Sequence, residues 1–491
     1  PLGHASKIVR RLHDVADPRP ISPDLPANRV NILLVIARPK ANDFAYRSSA
    51  RSVVDLIRTE KLPAAVTVLR PPTFAQLRTH LDEHPNHYHL LHFDGHGGYF
   101  QDEGDTGKEG RLLFENADGG HDPVSASQLA SLLREYGLPL VLLDACEGAT
   151  ISEGGGSAFA SVAGGLIKTG VRGVTAMAYS VRVSATKQFI PAFYRALFKS
   201  GDAAEAVRKG RQQMLAEKGR VCARGKFPLE DWVVPVLYEQ EVFRLAFART
   251  ATGSDDGGPD LLPDEARDTE NPYGFIGRDS AVLALERAML APPAAILIHG
   301  LGGVGKTTLA RGFLQWLEET NGLGLGCLWI RFSSEIGTAG SLFNRMLERL
   351  PGTGHEPSLL PMDQKIDELA KILRENKFVI VWDNFEAVAG LPEAGVRPAM
   401  NEEDRAHLVT FLKKLRGGAT KVIITSRSPE PWIPQEHRRK VELGGLHGEE
   451  RWHFCNRILG DLGIDVDRES DAFQKLMDAL HGLPLLMRAI L

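Results

Sequence analysis

The sequence predicts two α/β domains in tandem. The first is a sheet domain, and the second is a P-loop nucleotide-binding sheet that leads into the start of a small helical domain. Three observations point there. Short runs rich in β-branched and aromatic residues alternate with amphipathic stretches through both halves, as in mostly parallel sheets covered by helices. A stretch rich in Gly, Asp and Pro, residues 250–274, interrupts them as a linker does. In the second half, GLGGVGKT at 300–307 follows an apolar run and opens a helical one.

The elements follow in order. Residues 31–37 (NILLVIA) read as a buried strand and 47–60 as a helix. Further strands are expected at 64–70, 87–93, 139–146 and 171–177, with helices at 125–135, 157–169, 186–199 and 203–217. Strands at 294–299, 326–332, 377–382 and 420–425 repeat the pattern in the second half, with helices between them. The expected division is an N-terminal extension (1–27), a first domain (28–245), a linker (246–270), a nucleotide-binding domain (271–440) and a partial helical domain (441–491). Pro1-Leu2-Gly3 looks like the scar of a cleaved tag. The close at 482–491, inside an apolar helical pattern, reads as the N-terminal portion of something longer.

Composition narrows the class. Hydrophobic residues at 43% and charged residues at 24% fit a globular chain and exclude a disordered or collagen-like one. The net charge of −4, from 58 basic and 62 acidic residues, gives no footprint for direct nucleic-acid binding. The longest apolar runs, at 138–143 and 294–298, fall far short of the ~20 residues of a membrane helix. Cys146, Cys222, Cys327 and Cys455 form no CxxC pair, which argues against a zinc site or disulfides and for a reducing, cytoplasmic location.

The string 300–307 matches GxxxxGK[ST] in full, between an apolar strand and a helix. Gly300, Gly302, Gly303 and Gly305 let backbone N–H groups wrap phosphates, and the helix N-terminus adds its dipole. Lys306 would reach the β- and γ-phosphates, with Thr307 on Mg²⁺ and Thr308 beside it. Asp383, closing the strand pattern FVIVWDNFE, is the expected second Mg²⁺ ligand. Glu386 reads either as the carboxylate that orients the attacking water or as a solvated loop acid. Arg427, at the tip of the strand at 421–427, is placed to sense the γ-phosphate. With no Asn-Lys-x-Asp guanine reader, ATP and ADP are the expected ligands, and no metal other than Mg²⁺ is expected.

These motifs resemble the NB-ARC class of signal-transducing ATPases over about residues 271–491. The matching parts are PYGFIGRD (272–279), the P-loop, DNFE (383–386), TSR (425–427) and GLPL (482–485). The family often has a second acid after the Walker-B aspartate, where Asn384 stands here. The resemblance implies that Phe275, Ile276 and Arg278 lie beside the adenine, and that Pro484 closes on the nucleotide from a small helical domain. It further implies that a winged-helix domain and a repeat sensor follow, the sensor reading the trigger.

In the first half, HPNHYHLLHFDGHGG (84–98) is dense in histidine. His92 and His96 are four apart, but the glycines and the strand pattern speak against a helical metal pair. His92 reads as a buried, satisfied strand residue. His96, between glycines at a strand end, reads as freely presented. Cys146 follows it by 50 residues at the end of another apolar strand, the interval seen in caspases. Carboxyl ends of neighbouring parallel strands meet at one edge. His96 and Cys146 would then form a nucleophilic dyad, with the N–H groups of Gly97 and Cys146 as an oxyanion hole. From spacing alone, a cysteine packed as a small hydrophobe fits equally well.

Further segments resemble the CHAT family of caspase-like peptidases: HLLHFDGHG (89–97), VLLDACEG (141–148), 158–177, 189–214 and DWVVPVLY (231–238). The resemblance implies a His96/Cys146 dyad without an obligatory third member. Asp144 stands where many CHAT sequences have Ser or Asn, and resembles the metacaspase aspartate that lines a pocket for Arg or Lys. Asp94 is placed to add charge there, and the bland reading of Asp144 is a turn cap. Together the two resemblances imply an endopeptidase activated by ATP-dependent self-association in bacterial defence or cell death. Its expected substrate is a latent protein such as a gasdermin-like pore former. The alternative is an ATP-switched scaffold with a non-catalytic CHAT-like module.

Overall fold

The computed structural model describes residues 6–18, 20–39, 49–101, 108–145, 158–178, 183–222, 225–247, 261–267, 271–332, 336–350, 359–467 and 470–491. The chain separates into two compact units that divide at residues 257–258, with 319–321 grouped with the first.

In the first unit the elements are β1 (Val9–Arg10), β2 (Val30–Ile36), α1 (Ser49–Glu60), β3 (Ala64–Val68), α2 (Phe74–Glu83), β4 (Leu90–Phe100), β5 (Glu109–Glu115), β6 (His121–Ser125) and α3 (Ala126–Glu135). After them come β7 (Leu140–Ala145), α4 (Ala158–Lys168), β8 (Gly173–Met177), α5 (Val183–Ser200), α6 (Ala203–Ala216), β9 (Gly219–Cys222), β10 (Gly225–Pro228) and β11 (Pro235–Glu239). The sheet runs β1-β11-β8-β7-β4-β2-β3. β3, β2, β4, β7 and β8 are parallel, and β11 joins β8 antiparallel. Ile32, Leu33, Leu34 and Val35 are all buried, as expected of a parallel strand covered on both faces.

β4 departs from the expected strand at 87–93. It runs on to Phe100 because it changes partner. Up to Gly95 it pairs with β7, and from His96↔Leu113 to Phe100↔Glu109 it pairs antiparallel with β5. Gly97 is a packing requirement within this strand, since a Cβ there would lie 3.0 Å from the Phe159 ring of α4. The β5–β6 hairpin and α2 were also not foreseen. Their local signals are an Asn116 side chain that accepts the N–H groups of Asp118 and Gly120, and a Thr73 hydroxyl that accepts the Gln76 N–H at 3.1 Å.

His92 is fully buried, and its Nδ1 lies 3.0 Å from the Tyr194 hydroxyl on α5. Burial lowers its pKa to about 4 against an ordinary 6.5. The unfolded chain therefore binds a proton that the folded chain refuses between those values. Stability is complete above pH 6.5 and is lost as pH falls towards 4, by ~3 kcal/mol for this group. Denaturant midpoints of the first unit should fall over that window, and His92→Gln should remove its share of the fall, with His80 and His89, also held at about 4 by burial, supplying the rest.

The second unit contains α7 (Asp279–Leu290), β12 (Ala295–His299), α8 (Lys306–Glu319), β13 (Cys327–Arg331), α9 (Ala339–Arg349), α10 (Met362–Glu375), β14 (Val379–Asp383), α11 (Glu386–Ala389) and α12 (Glu402–Leu415). β15 (Lys421–Ser426), β16 (Arg438–Glu442), α13 (Gly448–Leu462), α14 (Asp471–Ala479) and α15 (Pro484–Ile490) complete it. Its sheet order is β13-β14-β15-β12-β16, parallel throughout. β15 thus lies between the P-loop strand and the strand that ends at Asp383. β16 was not foreseen: it is an edge strand of sequence RRKVE, with Arg439 and Lys440 exposed. The last three helices build a core of their own around Phe454, Cys455, Ile458, Met477 and Met487.

Candidate functional site

Two places gather the expected residues, one in each unit. In the second unit the loop between β12 and α8 opens onto a cavity of about 470 Å³, of the size that holds a small ligand. Gly302, Gly303, Gly305, Lys306, Thr307 and Thr308 line it, as do Phe275, Ile276, Arg278, Glu386, Arg427 and Pro484. Gly300 stands at the base of the loop, where a Cβ would lie 2.4 Å from the Leu443 carbonyl oxygen. Gly303 and Gly305 take φ of 74° and 95°, which the loop needs and glycine supplies.

Lys306 donates from Nζ to the carbonyls of Gly300 (2.8 Å) and Leu301 (2.9 Å). Burial lowers its pKa, against the opposing pull of Glu386. Thr307 donates its hydroxyl to Asp383 Oδ1 at 2.8 Å, and Thr425 donates to the same oxygen at 2.7 Å. The hydroxyl and carboxylate expected to share a metal therefore already meet, and such an all-oxygen pair suits Mg²⁺. Glu386 is buried at the start of α11 and pairs with Arg427, Nε to Oε1 at 3.1 Å. It is therefore not a solvated acid. Asn384 adopts φ 59°, a left-handed turn that asparagine tolerates, and donates its N–H to Thr425 Oγ1.

Arg278 differs in kind from the other lining residues. Its guanidinium donates to the carbonyls of Val304, Gly444 and Gly445, and burial lowers its pKa to about 10. It fastens the P-loop to the chain after β16. Phe275 lies over Gly312 of α8, where a Cβ would meet its ring at 2.4 Å, and Leu485 donates its N–H to the Gly303 carbonyl at 3.2 Å. The entry segment and α15 thus close the cavity from two sides. Arg311, Arg488 and Asn384 also line it, and the motif reading missed Arg311 and Arg488.

In the first unit, His92, Asp94 and His96 share one face of β4, by the alternation of a strand. Asp94 stands in parallel register with Asp144 of β7, and the next pair is Gly95 with Ala145. His96 follows Gly95. Cys146 follows Ala145 and lies outside the described residues. His96 is 3% exposed, so it is a buried strand residue and not the freely presented one expected. Gly97 stands opposite Leu112 in β5.

Two readings need correction, Asp94 as a source of spare charge and Asp144 as a turn cap. Asp94 is fully buried and forms an ion pair with Arg38, whose own side chain is buried and whose N–H donates to Glu115 at 2.8 Å. Its charge is already met within the fold, so it adds none to a pocket for a basic substrate. Asp144 is likewise fully buried, within a strand and not at a turn. Burial first, and then the Asp144 carboxylate, raise the Tyr194 hydroxyl well above its ordinary pKa. Arg38 had no signal in any motif; it stands two residues past the end of β2.

A CHAT domain profile matches residues 7–267, just over half of the chain. The chain belongs to the CHAT domain family. An NB-ARC domain profile matches residues 284–394, which hold the P-loop, Asp383 and Glu386. The protein thus joins a CHAT domain to an NB-ARC domain, a nucleotide-binding module of signalling ATPases. Curated relatives of the NB-ARC part come from Arabidopsis thaliana. "Probable disease resistance protein At1g15890" is 25% identical over 39% of this chain and 21% of its own length. "Disease resistance protein RPP8" is 26% identical over 40% and 20%. The chain spans about a fifth of the length of these relatives. Among solved structures, a STAND protein with a tetratricopeptide repeat sensor from Pyrococcus horikoshii aligns with TM-score 0.30 and 18% identity, over 44% of this chain and 29% of that one. The ORC2 protein of Aeropyrum pernix, solved in ADPNP–ADP complexes, aligns with TM-score 0.31 and 14% identity, over 40% and 55%. Among the described residues, no helix is long and apolar enough to cross a membrane.

Proposed function

We propose that this CHAT–NB-ARC protein is a cysteine endopeptidase gated by ATP. The observation that carries the reading is the β4–β7 register. Gly95, the residue before His96, pairs with Ala145, the residue before Cys146, in the parallel part of the sheet. His96 takes the thiol proton, and Cys146 sulfur forms a bond to the scissile carbonyl carbon. The C–N bond breaks as His96 returns the proton to the leaving amine. Water, giving a proton to His96, then cleaves the thioester and frees Cys146. The backbone N–H groups of Gly97 and Cys146 hold the oxyanion.

In the NB-ARC domain, Lys306 and the loop N–H groups bind the phosphates. Thr307 and Asp383 would hold Mg²⁺, which would supply positive charge against the phosphates. Glu386 orients the water, and Arg427, released from Glu386, reads the γ-phosphate. ADP holds the resting form. A trigger sensed by a C-terminal region lets ATP enter, and self-association follows. The disease-resistance names of the plant relatives support a defence role. The substrate in that role is a latent protein such as a gasdermin-like pore former.

The burial of His96 favours a second reading, a scaffold with a non-catalytic CHAT module. A peptide library offered to the triggered, ATP-loaded protein separates the two. With Asp144 as the pocket acid, cleavage follows Arg above Lys, since only Arg pairs in bidentate fashion. Asp144→Ala should cost Arg substrates about 100-fold or more in kcat/KM. Cleavage after Leu, Met or Asp, indifferent to Asp144→Ala, would refute the pocket. No cleavage of any peptide by an assembled protein would refute the peptidase and leave the scaffold.

A further inference from the structure

The segment joining α2 to β4 holds a cluster that neither domain's chemistry uses. His80 and Glu83 lie at positions i and i+3 in the last turn of α2, and His84 is its C-cap residue. One ligand atom from each lies within 4.8 Å of the other two. The two imidazoles are stacked with centroids 4.5 Å apart. His80 and His84 are half-buried and Glu83 is exposed, so an ion can enter from solvent.

The surrounding contacts fix the rings. His84 Nδ1 lies 2.9 Å from the His80 carbonyl oxygen. A carbonyl can only accept, so Nδ1 carries the proton and Nε2 keeps the lone pair that a metal needs. His80 Nε2 lies 2.6 Å from the hydroxyl of Tyr88, which is buried. With Nε2–H donating to that oxygen, Nδ1 of His80 is the ligand atom. His87, the next histidine along, is engaged by the Asn31 side chain at 3.0 Å.

We propose that His80, Glu83 and His84 form a transition-metal site of the zinc class, with solvent completing the shell and Tyr88 as the partner that orients His80. Two imidazoles and a carboxylate are a donor set that Zn²⁺ accepts. The site is structural. α2 returns from the end of β3 to the start of β4, so the cluster lies at the amino-terminal edge of the parallel strands. His96 lies beyond their paired carboxyl ends. An ion there ties the end of α2, through Tyr88, to the chain that leads into β4.

The test uses the full chain stripped of metal with a chelator. Titration with Zn²⁺ should show one saturable equivalent and raise the melting temperature. Co²⁺ at the same site should give a visible spectrum without thiolate charge transfer, which separates it from binding at cysteines. His84→Gln should keep the metal-free melting temperature, which shows that it folds, and should lose the zinc shift. Tyr88→Phe should weaken binding by about 10-fold or more, as loss of an orienting partner does. His87→Gln, which removes no proposed ligand, should keep the zinc shift. No saturable binding by the wild type, wild-type affinity in His84→Gln, or a thiolate band with Co²⁺ would each overturn the site.

Discussion

Cys146→Ala should reduce cleavage of a protein substrate by at least about 10⁴-fold while ATP binding and assembly survive. The sulfur is the atom that bonds to the carbonyl carbon, and alanine offers none. His96→Ala should cost about as much, because the thiol then has no base in reach and the amine leaves without a proton. The double variant should be no slower than either single one, since the two act as a unit. β4 supplies the physical ground for His96. Gly95 pairs with Ala145, and the strand then turns its pairing over to β5, which fixes His96 within an antiparallel ladder. Cleavage retained by Cys146→Ala, with Cys222 as the residue then labelled by a thiol reagent, would overturn the dyad.

Lys306→Ala is the second large effect. Its ammonium is almost wholly buried and already contacts two loop carbonyls, so it is held within the phosphate loop. Its transfer to phosphate oxygens is worth charge-assisted hydrogen bonds of ~1.5 to 3 kcal/mol each. ATP affinity should fall by about 100-fold, read by a fluorescent nucleotide. Assembly and proteolysis should fall with it, although His96 and Cys146 are untouched. A variant that binds no ATP yet cleaves on triggering would show that the NB-ARC domain does not gate the CHAT domain.

Much of this was legible in the sequence where local chemistry and long-range pairing agree. The P-loop carries its own strand, turn glycines and helix, so 300–307 announces itself. Strands such as β2 and β14 are apolar along most of their length because parallel strands are covered on both faces. What was not legible depends on partners distant in sequence. β4 reads as ending at Phe93 because glycines usually break strands, and only the β5 hairpin, which was not expected, carries it on to Phe100. β16 is charged because it is an edge. Asp94 reads as a spare carboxylate until Arg38, 56 residues earlier, is seen to neutralise it. Arg278 reads as a nucleotide ligand because it sits in the entry motif, yet its donors go to the P-loop carbonyl of Val304 and to Gly444 and Gly445, which no motif places nearby.

The central claim is that the nucleotide held by Lys306, Thr307 and Asp383 controls the reactivity of Cys146. The most direct measurement is labelling of Cys146 by a thiol-reactive peptide probe, read by mass spectrometry, in the triggered protein loaded with ATP or with ADP. The account predicts strong labelling with ATP, little with ADP, and none with ATP in Lys306→Ala. Equal labelling of Cys146 in both nucleotide states would contradict it.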